Sequence, residues 1–338
     1  MVFRQIQMVV PDEKVEETIK IIKKCEVLDF TYSDFSKKYT RFDVVIKKER
    51  TERILDVFQK HFSKLEGFRI VVIPVETYIP LPNELEVDEK SRKSENEHDE
   101  ERISREEVQT KVIDMSRLSF VYISMVILSS FVAAIGVLND DVAVIIGGMI
   151  IAPLIGPNIG ISFSMVMGDL SLARTALKSS FVGIMIAIII SFVLGLFLNV
   201  DSTIPSIILR TEIAKGGIIL ALASGFAGSL ALITDISSAL VGVMIAVALL
   251  PPLVTFGLLL GSGQYYLAGG ALLIFLVNLV AIIFAGIITF IQQRIHPINS
   301  EESLKAKKMR LISLLILGII LTVLIAVNFD RTIIYFLI

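Results

Sequence analysis

The pattern of hydrophobic and polar residues divides this chain into two parts. Residues 1–117 contain short apolar runs interrupted by charged side chains, whereas residues 118–338 contain long apolar runs with few charges. A run of about 20 apolar residues can cross a lipid bilayer as one helix. The pattern therefore predicts a soluble N-terminal domain followed by an α-helical, polytopic membrane domain embedded in the lipid bilayer.

Residues 1–80 have the pattern of a small α+β domain. Four short segments alternate like strands, and an amphipathic helical segment follows the first strand and another follows the third. The strand-like segments are 2–10, 27–35, 42–47 and 68–75. This βαββαβ order predicts a ferredoxin-like domain, which could assemble or gate the membrane domain or sense a ligand.

The two parts are joined by a polar segment and a short helix. Residues 81–103 contain almost nothing apolar and are predicted to be a charged, flexible linker. Ser104 and Glu107 fit the S-x-x-E capping box at a helix start. Residues 104–117 therefore form a predicted connecting helix, with Val108 and Val112 on one face.

Seven apolar segments in the second part are long enough to be spans. They are residues 118–138, 142–167, 173–200, 216–233, 238–260, 267–291 and 311–329. If the N-terminal domain is cytoplasmic, the loops on its side hold seven Lys and Arg residues and the opposite loops hold two. This asymmetry predicts a cytoplasmic N-terminus and an external C-terminus in the inner, cytoplasmic membrane.

The second of these segments carries helix-breaking residues at its centre. Gly148, Pro153, Gly156, Pro157 and Asn158 fall within it. Each proline removes a helical donor and clashes with the preceding turn, so the carbonyls four residues earlier lose their partners. Such a break is tolerated in a membrane only against protein or a water-lined cavity. The segment is therefore either a kinked, closely packed span or a discontinuous helix that forms a binding or permeation site.

The spans also predict an internal repeat. The two predicted copies are residues 118–200 and 201–293. Sliding the chain by 94 positions brings Leu118 onto Glu212, Ala173 onto Leu267 and Pro157 onto Pro251, which Pro252 follows. Three spans per copy would make the second copy enter the membrane upside down. Inverted repeats with two matching broken helices indicate a transporter site near the midplane. Residues 294–338 add a basic loop and one extra span.

Several polar residues in the spans allow two interpretations. Asn158 and Asn278 could line a pathway, or each could hydrogen-bond a neighbouring helix. Asp141, Asp169 and Asp235 each precede a span, where they could act as helix caps or as part of a gate.

Composition and motifs narrow the function classes. The formal net charge is −2, and no basic patch predicts binding to nucleic acid. The single cysteine, Cys25, suits a reducing compartment. No span carries a central titratable residue, which argues against proton coupling. There is no P-loop, metal-ligand cluster or nucleophile elbow, so we expect no enzymatic activity, no cofactor and no metal.

Several motifs resemble those of a known family. The segments RISREE at 102–107, AAIG at 133–136, VIIGGMIIAPLIGPNIG at 144–160, GDL at 168–170 and LVGVMIAVALLPPL at 240–253 carry the likeness. Together they resemble the uncharacterised prokaryotic membrane-protein family known as domain of unknown function 389. The resemblance implies a polytopic inner-membrane protein with a small cytoplasmic N-terminal domain, and it brings neither a substrate nor catalytic residues.

Two functional hypotheses follow from the sequence. The first is a transporter or channel-like protein, in a homo-oligomer, for an unidentified small solute or ion, with a path lined by the two broken helices. The second is a membrane-anchored sensor or scaffold, whose ferredoxin-like domain binds a small ligand or a protein partner.

Overall fold

The computed structural model describes residues 3–25, 27–63, 65–75, 78, 103–211, 217–234, 238–297 and 300–337. The chain divides into two compact units, residues 1–108 and 109–338. Residues 81–102 of the predicted linker and Asp235 lie outside the described residues.

The first unit is a small antiparallel sheet with two helices, in the order that the sequence predicts. Its elements are β1 (Phe3–Pro11), α1 (Val15–Lys24), β2 (Asp29–Ser36), β3 (Tyr39–Lys47), α2 (Thr51–Phe62) and β4 (Arg69–Val75). The strands are ordered β2-β3-β1-β4, and all neighbouring strands are antiparallel. Strands β2 and β4 are therefore the edges of the sheet.

The core of this unit follows from the period-two pattern of the central strands. Ile6 and Met8 of β1 and Phe42 of β3 are fully buried, whereas the residues between them are partly exposed. Phe58 and Phe62 of α2 pack into the same cluster. Burying one such side chain contributes about 1.5–3 kcal/mol, so these alternating positions fix the sheet's register.

The second unit is helical. The connecting helix is α3 (Arg105–Ser116), and it is followed by α4 (Phe120–Leu138), α5 (Val142–Ile151), α6 (Ile155–Met167), α7 (Leu170–Phe197), α8 (Pro205–Ile208), α9 (Gly217–Thr234), α10 (Ser238–Gly261), α11 (Tyr265–Gln292) and α12 (Ser300–Leu337). One of the two bonds of the predicted capping box is present at the start of α3, because the Ser104 hydroxyl accepts from the Glu107 amide at 3.4 Å.

The described helices identify a multi-pass membrane protein. Helices α4, α7, α9 and α11 and residues Ala306–Val327 are long and apolar enough to cross a membrane. Helices α5 and α6 are together long and apolar enough to cross a membrane, although they are bent relative to each other. Helix α10 has 24 residues, and its segment Ala248–Gly261 is also apolar.

The loops gather at two ends of the helical unit. Asp140, between α4 and α5, accepts a hydrogen bond from the Ser206 amide at 2.9 Å, and Gln264, between α10 and α11, donates to the Val200 carbonyl at 2.9 Å. At the other end Gly168, between α6 and α7, lies against Ala306 of α12. The three loops that the sequence predicts to be external therefore share one end.

Candidate functional site

The predicted interruption of the second span is present, and Pro153 accounts for it. Helix α5 ends at Ile151, α6 begins at Ile155, and the two are bent by 50°. The structure corrects the expectation that Pro157 also breaks the helix. Pro157 is the third residue of α6, where a backbone N–H has no partner within the helix, so its ring is accommodated at no cost in hydrogen bonds.

The Asn158 side chain links the break between α5 and α6 to helix α7. Its side chain is 2% exposed, and its Nδ2 donates to the Leu154 carbonyl at 2.8 Å. Its Oδ1 accepts from the Ser180 hydroxyl of α7 at 3.0 Å. The amide therefore satisfies a carbonyl at the break and at the same time joins α6 to α7.

The end of α3 lies beside the same break. The Ser116 hydroxyl donates to the Gly156 carbonyl at 3.4 Å, and the Ser179 hydroxyl of α7 donates to the Ser116 carbonyl at 2.8 Å. A Cβ added at Gly156 would lie 2.3 Å from the Met115 carbonyl oxygen. Gly156 is therefore required for this close approach between α3 and α6.

Two serine hydroxyls converge on a glycine of α11. The Ser162 hydroxyl contacts the Ile283 carbonyl at 3.0 Å, and a Cβ added at Gly286 would lie 2.7 Å from the Ser162 Oγ. The same Cβ would lie 3.1 Å from the Ser229 Oγ of α9. Ser229 is 1% exposed, and its hydroxyl has no partner among the described residues. A buried hydroxyl without a partner is unfavourable, so this position could contact a ligand.

The second proline pair does not interrupt its helix. Helix α10 continues through Pro251 and Pro252, which corrects the prediction of two broken helices. Pro252 lacks the N–H that would bond the Ala248 carbonyl, and the Asn278 Nδ2 of α11 donates to that carbonyl at 2.7 Å instead. A neighbouring side chain thus replaces the lost backbone bond, as is common around proline in membrane helices.

Of the three aspartates that precede a predicted span, Asp141 and Asp169 are described, and both are helix caps. One Oδ1 of Asp141 accepts from the Ala143 and Val144 amides at 2.9 and 3.1 Å. Asp169 makes the equivalent bonds at the start of α7, at 2.9 and 3.0 Å. The Asp141 and Asp169 carboxylates therefore act as helix caps.

Gly148 lies within the α4–α5 contact, because a Cβ there would be 2.9 Å from the Ala133 nitrogen.

A buried arginine outside the spans stabilises the first unit. Arg105 is 4% exposed and pairs with Asp56 at 2.9 Å and with Glu106 at 2.5 Å. Burial on its own lowers the pKa of Arg105, but these two carboxylates outweigh it and hold the pKa above its ordinary value. Among the described residues no group of three His, Cys, Asp or Glu side chains could hold a metal ion.

Sequence reasoning found Asn158 and Asn278 but missed the hydroxyls around them. Nothing in the spacing of Ser116 and Ser180 marks them as neighbours of the break, and nothing marks Ser229 as a neighbour of Gly286. Ser162 had a usable signal, since it follows Asn158 by four residues and so shares its helix face.

Comparison with known proteins agrees with the resemblance that the motifs indicate. The chain is 38% identical over 267 residues to "Uncharacterized protein MJ0678" of Methanocaldococcus jannaschii, which covers 79% of this chain and 80% of the relative. No solved structure matches the chain. The family model described as Domain of unknown function (DUF389) matches residues 149–284, from the end of α5 through most of α11. This chain therefore belongs to the family of domain of unknown function 389.

Proposed function

We propose that this protein is an integral membrane transporter or channel-like protein for a small solute or ion. The observation that carries this proposal is the break at residues 152–154, which is enclosed by other helices and surrounded by hydrogen-bonding side chains. Irregular backbone at this position in a membrane protein is tolerated where it is buried in protein or lines a cavity. Transporters commonly build their sites at such discontinuous helices.

Equivalent contacts in the two halves support an inverted repeat. A shift of 94 positions brings Leu154 onto Ala248, and both carbonyls accept a hydrogen bond from an asparagine side chain. Helix α10 packs on α7, and α6 packs on α11. In the proposed repeat α6 corresponds to α10 and α7 corresponds to α11. A pseudo-two-fold axis would therefore turn the α10–α7 pair into the α6–α11 pair.

The helix crossings agree with this exchange to within one residue. Gly257 of α10 lies against Ser191 of α7, and Gly286 of α11 lies against Ser162 of α6. The shift maps the first contact onto residues 163 and 285, which are the immediate neighbours of the second. We therefore propose a 3+3 inverted repeat with one physical break, at Pro153, and a proline pair at the matching place.

The chemistry around the break favours a neutral solute or a cation. The groups that surround it are hydroxyls, amides and carbonyls, which coordinate cations or hydrogen-bond neutral polar molecules without carrying charge. Ser229 is our first candidate for a direct contact, although it lies about two turns of α6 beyond the break, beside Gly286 and Ser162. Its buried hydroxyl has no partner among the described residues. Asn158 is the second, because its amide has to move if the break opens.

The remaining assignments are part of the same proposal. We propose no catalytic reaction, a homo-oligomer, and a cytoplasmic location for the ferredoxin-like unit and the N-terminus. The excess of Lys and Arg in the loops on that side supports this orientation.

A flux assay on reconstituted protein tests the transport proposal. Proteoliposomes would be loaded and assayed with rubidium and sodium tracers, and their osmotic swelling would be followed in urea, glycerol and small sugars. We expect at least one probe to enter faster than into empty liposomes, and Asn158→Ala and Ser229→Ala to slow it several-fold. Gly147→Ala is the control, because a Cβ there meets nothing within 4 Å. Equal leakage with all proteins, or none above empty liposomes, contradicts transport of these probes.

A specific observation favours the alternative, a sensor or scaffold. Tyr32 and Phe35 on the edge strand β2 are 55% and 51% exposed, and within the described part of the chain β2 pairs with β3 alone. An edge strand with exposed aromatic residues can bind another chain. If this surface holds the protein in an assembly, Tyr32→Ser with Phe35→Ser in the full chain should lower the subunit number measured by native mass spectrometry. An unchanged subunit number would contradict this role of β2.

A further inference from the structure

A basic cavity lies between the C-terminal end of α11 and the beginning of α12. Its volume is about 280 Å³, and Arg294, His296, Lys307 and Arg310 contribute its polar lining. Val166 of α6 and Ala306 of α12 are among its apolar walls. Among the described residues no carboxylate lines the cavity. Three cationic side chains therefore line one partly open cavity.

The turn that presents Arg294 has an unusual backbone. The Arg294 amide bonds the Ile291 carbonyl at 3.0 Å and the Ile295 amide bonds the Phe290 carbonyl at 3.1 Å, which is the pattern of a helix-terminating Schellman turn. The φ of Arg294 is +54°, in the left-handed region where glycine is the usual residue. An arginine held there against this preference indicates a use for its side chain.

The cavity adjoins a helix face that is open to lipid. Lys307 is exposed and Arg310 is half-buried, and the next turn carries Leu311 and Leu315 at 61% and 58% exposure. Leu321, further along the helix, packs against α9 and α11, but most residues of Ala306–Val327 are exposed or half-buried. A molecule that binds the cations can therefore place a hydrocarbon chain along α12 at the same time.

We propose that this cavity binds the phosphate of an anionic phospholipid headgroup. The guanidinium group of arginine, which can donate two hydrogen bonds at once, and the ammonium group of lysine are the usual protein partners of phosphate. Basic pockets between membrane helices bind such headgroups. The exposed apolar face of α12 favours a lipid over a soluble phosphate, since only a lipid fills both surfaces. The inference depends on the protein being in a membrane and not on the transport proposal.

The test measures lipid binding to the purified full chain. Phosphatidylglycerol or phosphatidylcholine would be added to the protein in detergent, and bound lipids counted by native mass spectrometry alongside the thermal midpoint. We expect phosphatidylglycerol to bind preferentially and raise the midpoint, and Lys307→Gln with Arg310→Gln to remove most of both effects. Lys308→Gln is the matched control, because Lys308 is an exposed neighbour that does not line the cavity. Equal loss in the control, or equal binding of phosphatidylcholine, overturns the proposal.

A second variant separates binding from folding. Arg294→Gly suits the left-handed backbone, so without added lipid it should unfold at the same or a higher temperature than the parent. With phosphatidylglycerol its midpoint should rise less than the parent's, which a merely structural arginine would not explain. If the parent's response to phosphatidylglycerol is retained, the assignment of Arg294 fails.

Inorganic phosphate distinguishes the two sources of the anion. Sodium phosphate at the same phosphate concentration should neither raise the midpoint as phosphatidylglycerol does nor displace the bound lipid. Stabilisation by inorganic phosphate equal to that by the lipid would identify a soluble-anion site and overturn the lipid assignment.

Discussion

At the scale of single residues, the Asn278 side chain takes over a bond that a proline removes. Asn278 donates to the Ala248 carbonyl, which Pro252 leaves without its helical donor. Removing a partner from a buried polar group costs about 1–3 kcal/mol. We therefore expect Asn278→Ala to lower the free energy of unfolding by about that amount, measured by circular dichroism in detergent.

Pro252→Ala provides the control for this interaction. It restores a backbone N–H that can reach the Ala248 carbonyl, so the double variant Asn278→Ala/Pro252→Ala should lose less than Asn278→Ala alone. Such a double-mutant cycle isolates the coupling between the two residues. Additive losses would show that the amide does not compensate for the proline.

Two nearby glycines differ in the space around them. A Cβ at Gly156 would clash with the Met115 carbonyl at 2.3 Å, whereas a Cβ at Gly147 meets nothing within 4 Å. Gly156→Ala should therefore lower stability by about 1–3 kcal/mol because the backbone must shift. Gly147→Ala should raise it by up to about 1 kcal/mol, since alanine favours the helix. Similar thermal midpoints for the two variants would contradict the close α3–α6 approach.

At the scale of elements, the sequence predicted where helices are disturbed better than how. Pro153, Pro157 and the pair Pro251-Pro252 all have the same local chemistry, yet only the first interrupts a helix. Pro157 falls in a first turn because the break at Pro153 starts a new helix, and a local pattern does not show that dependence. The donor at Ala248 comes from Asn278, 30 residues away, which a proline rule cannot include.

The helix starts were more predictable because their bonds are local. Asp141 and Asp169 each accept two amides within three residues of their own position. Replacing either by Ala should lower stability by about 1 kcal/mol, whereas Asn, which keeps an accepting oxygen, should retain most of it. Thermal unfolding of the four variants checks this. A loss of flux with unchanged stability would restore the gating interpretation.

At the scale of the whole molecule, the charge pattern predicted which loops belong together. Three loops assigned to the outside share one end through the Asp140–Ser206 and Gln264–Val200 hydrogen bonds. The hydrogen bonds show that these loops share an end, and only the Lys and Arg distribution predicts which end is cytoplasmic. Orientation therefore has to be measured in cells.

Cysteine labelling measures that orientation, because the chain has a single native cysteine, Cys25. Burial raises the pKa of the Cys25 thiol, which keeps less of it as reactive thiolate at neutral pH, and Cys25→Ser removes the remaining background. In that background, single cysteines at Asn139, Thr203 and Gly263 should react with an impermeant maleimide in intact cells. Cysteines placed at Ser171 and Lys308 should react only after permeabilisation, since Gly168 and Ala306 bring these loops to the opposite end. The reverse pattern would invert the proposed orientation, and labelling of both groups from one side would contradict the two-ended arrangement.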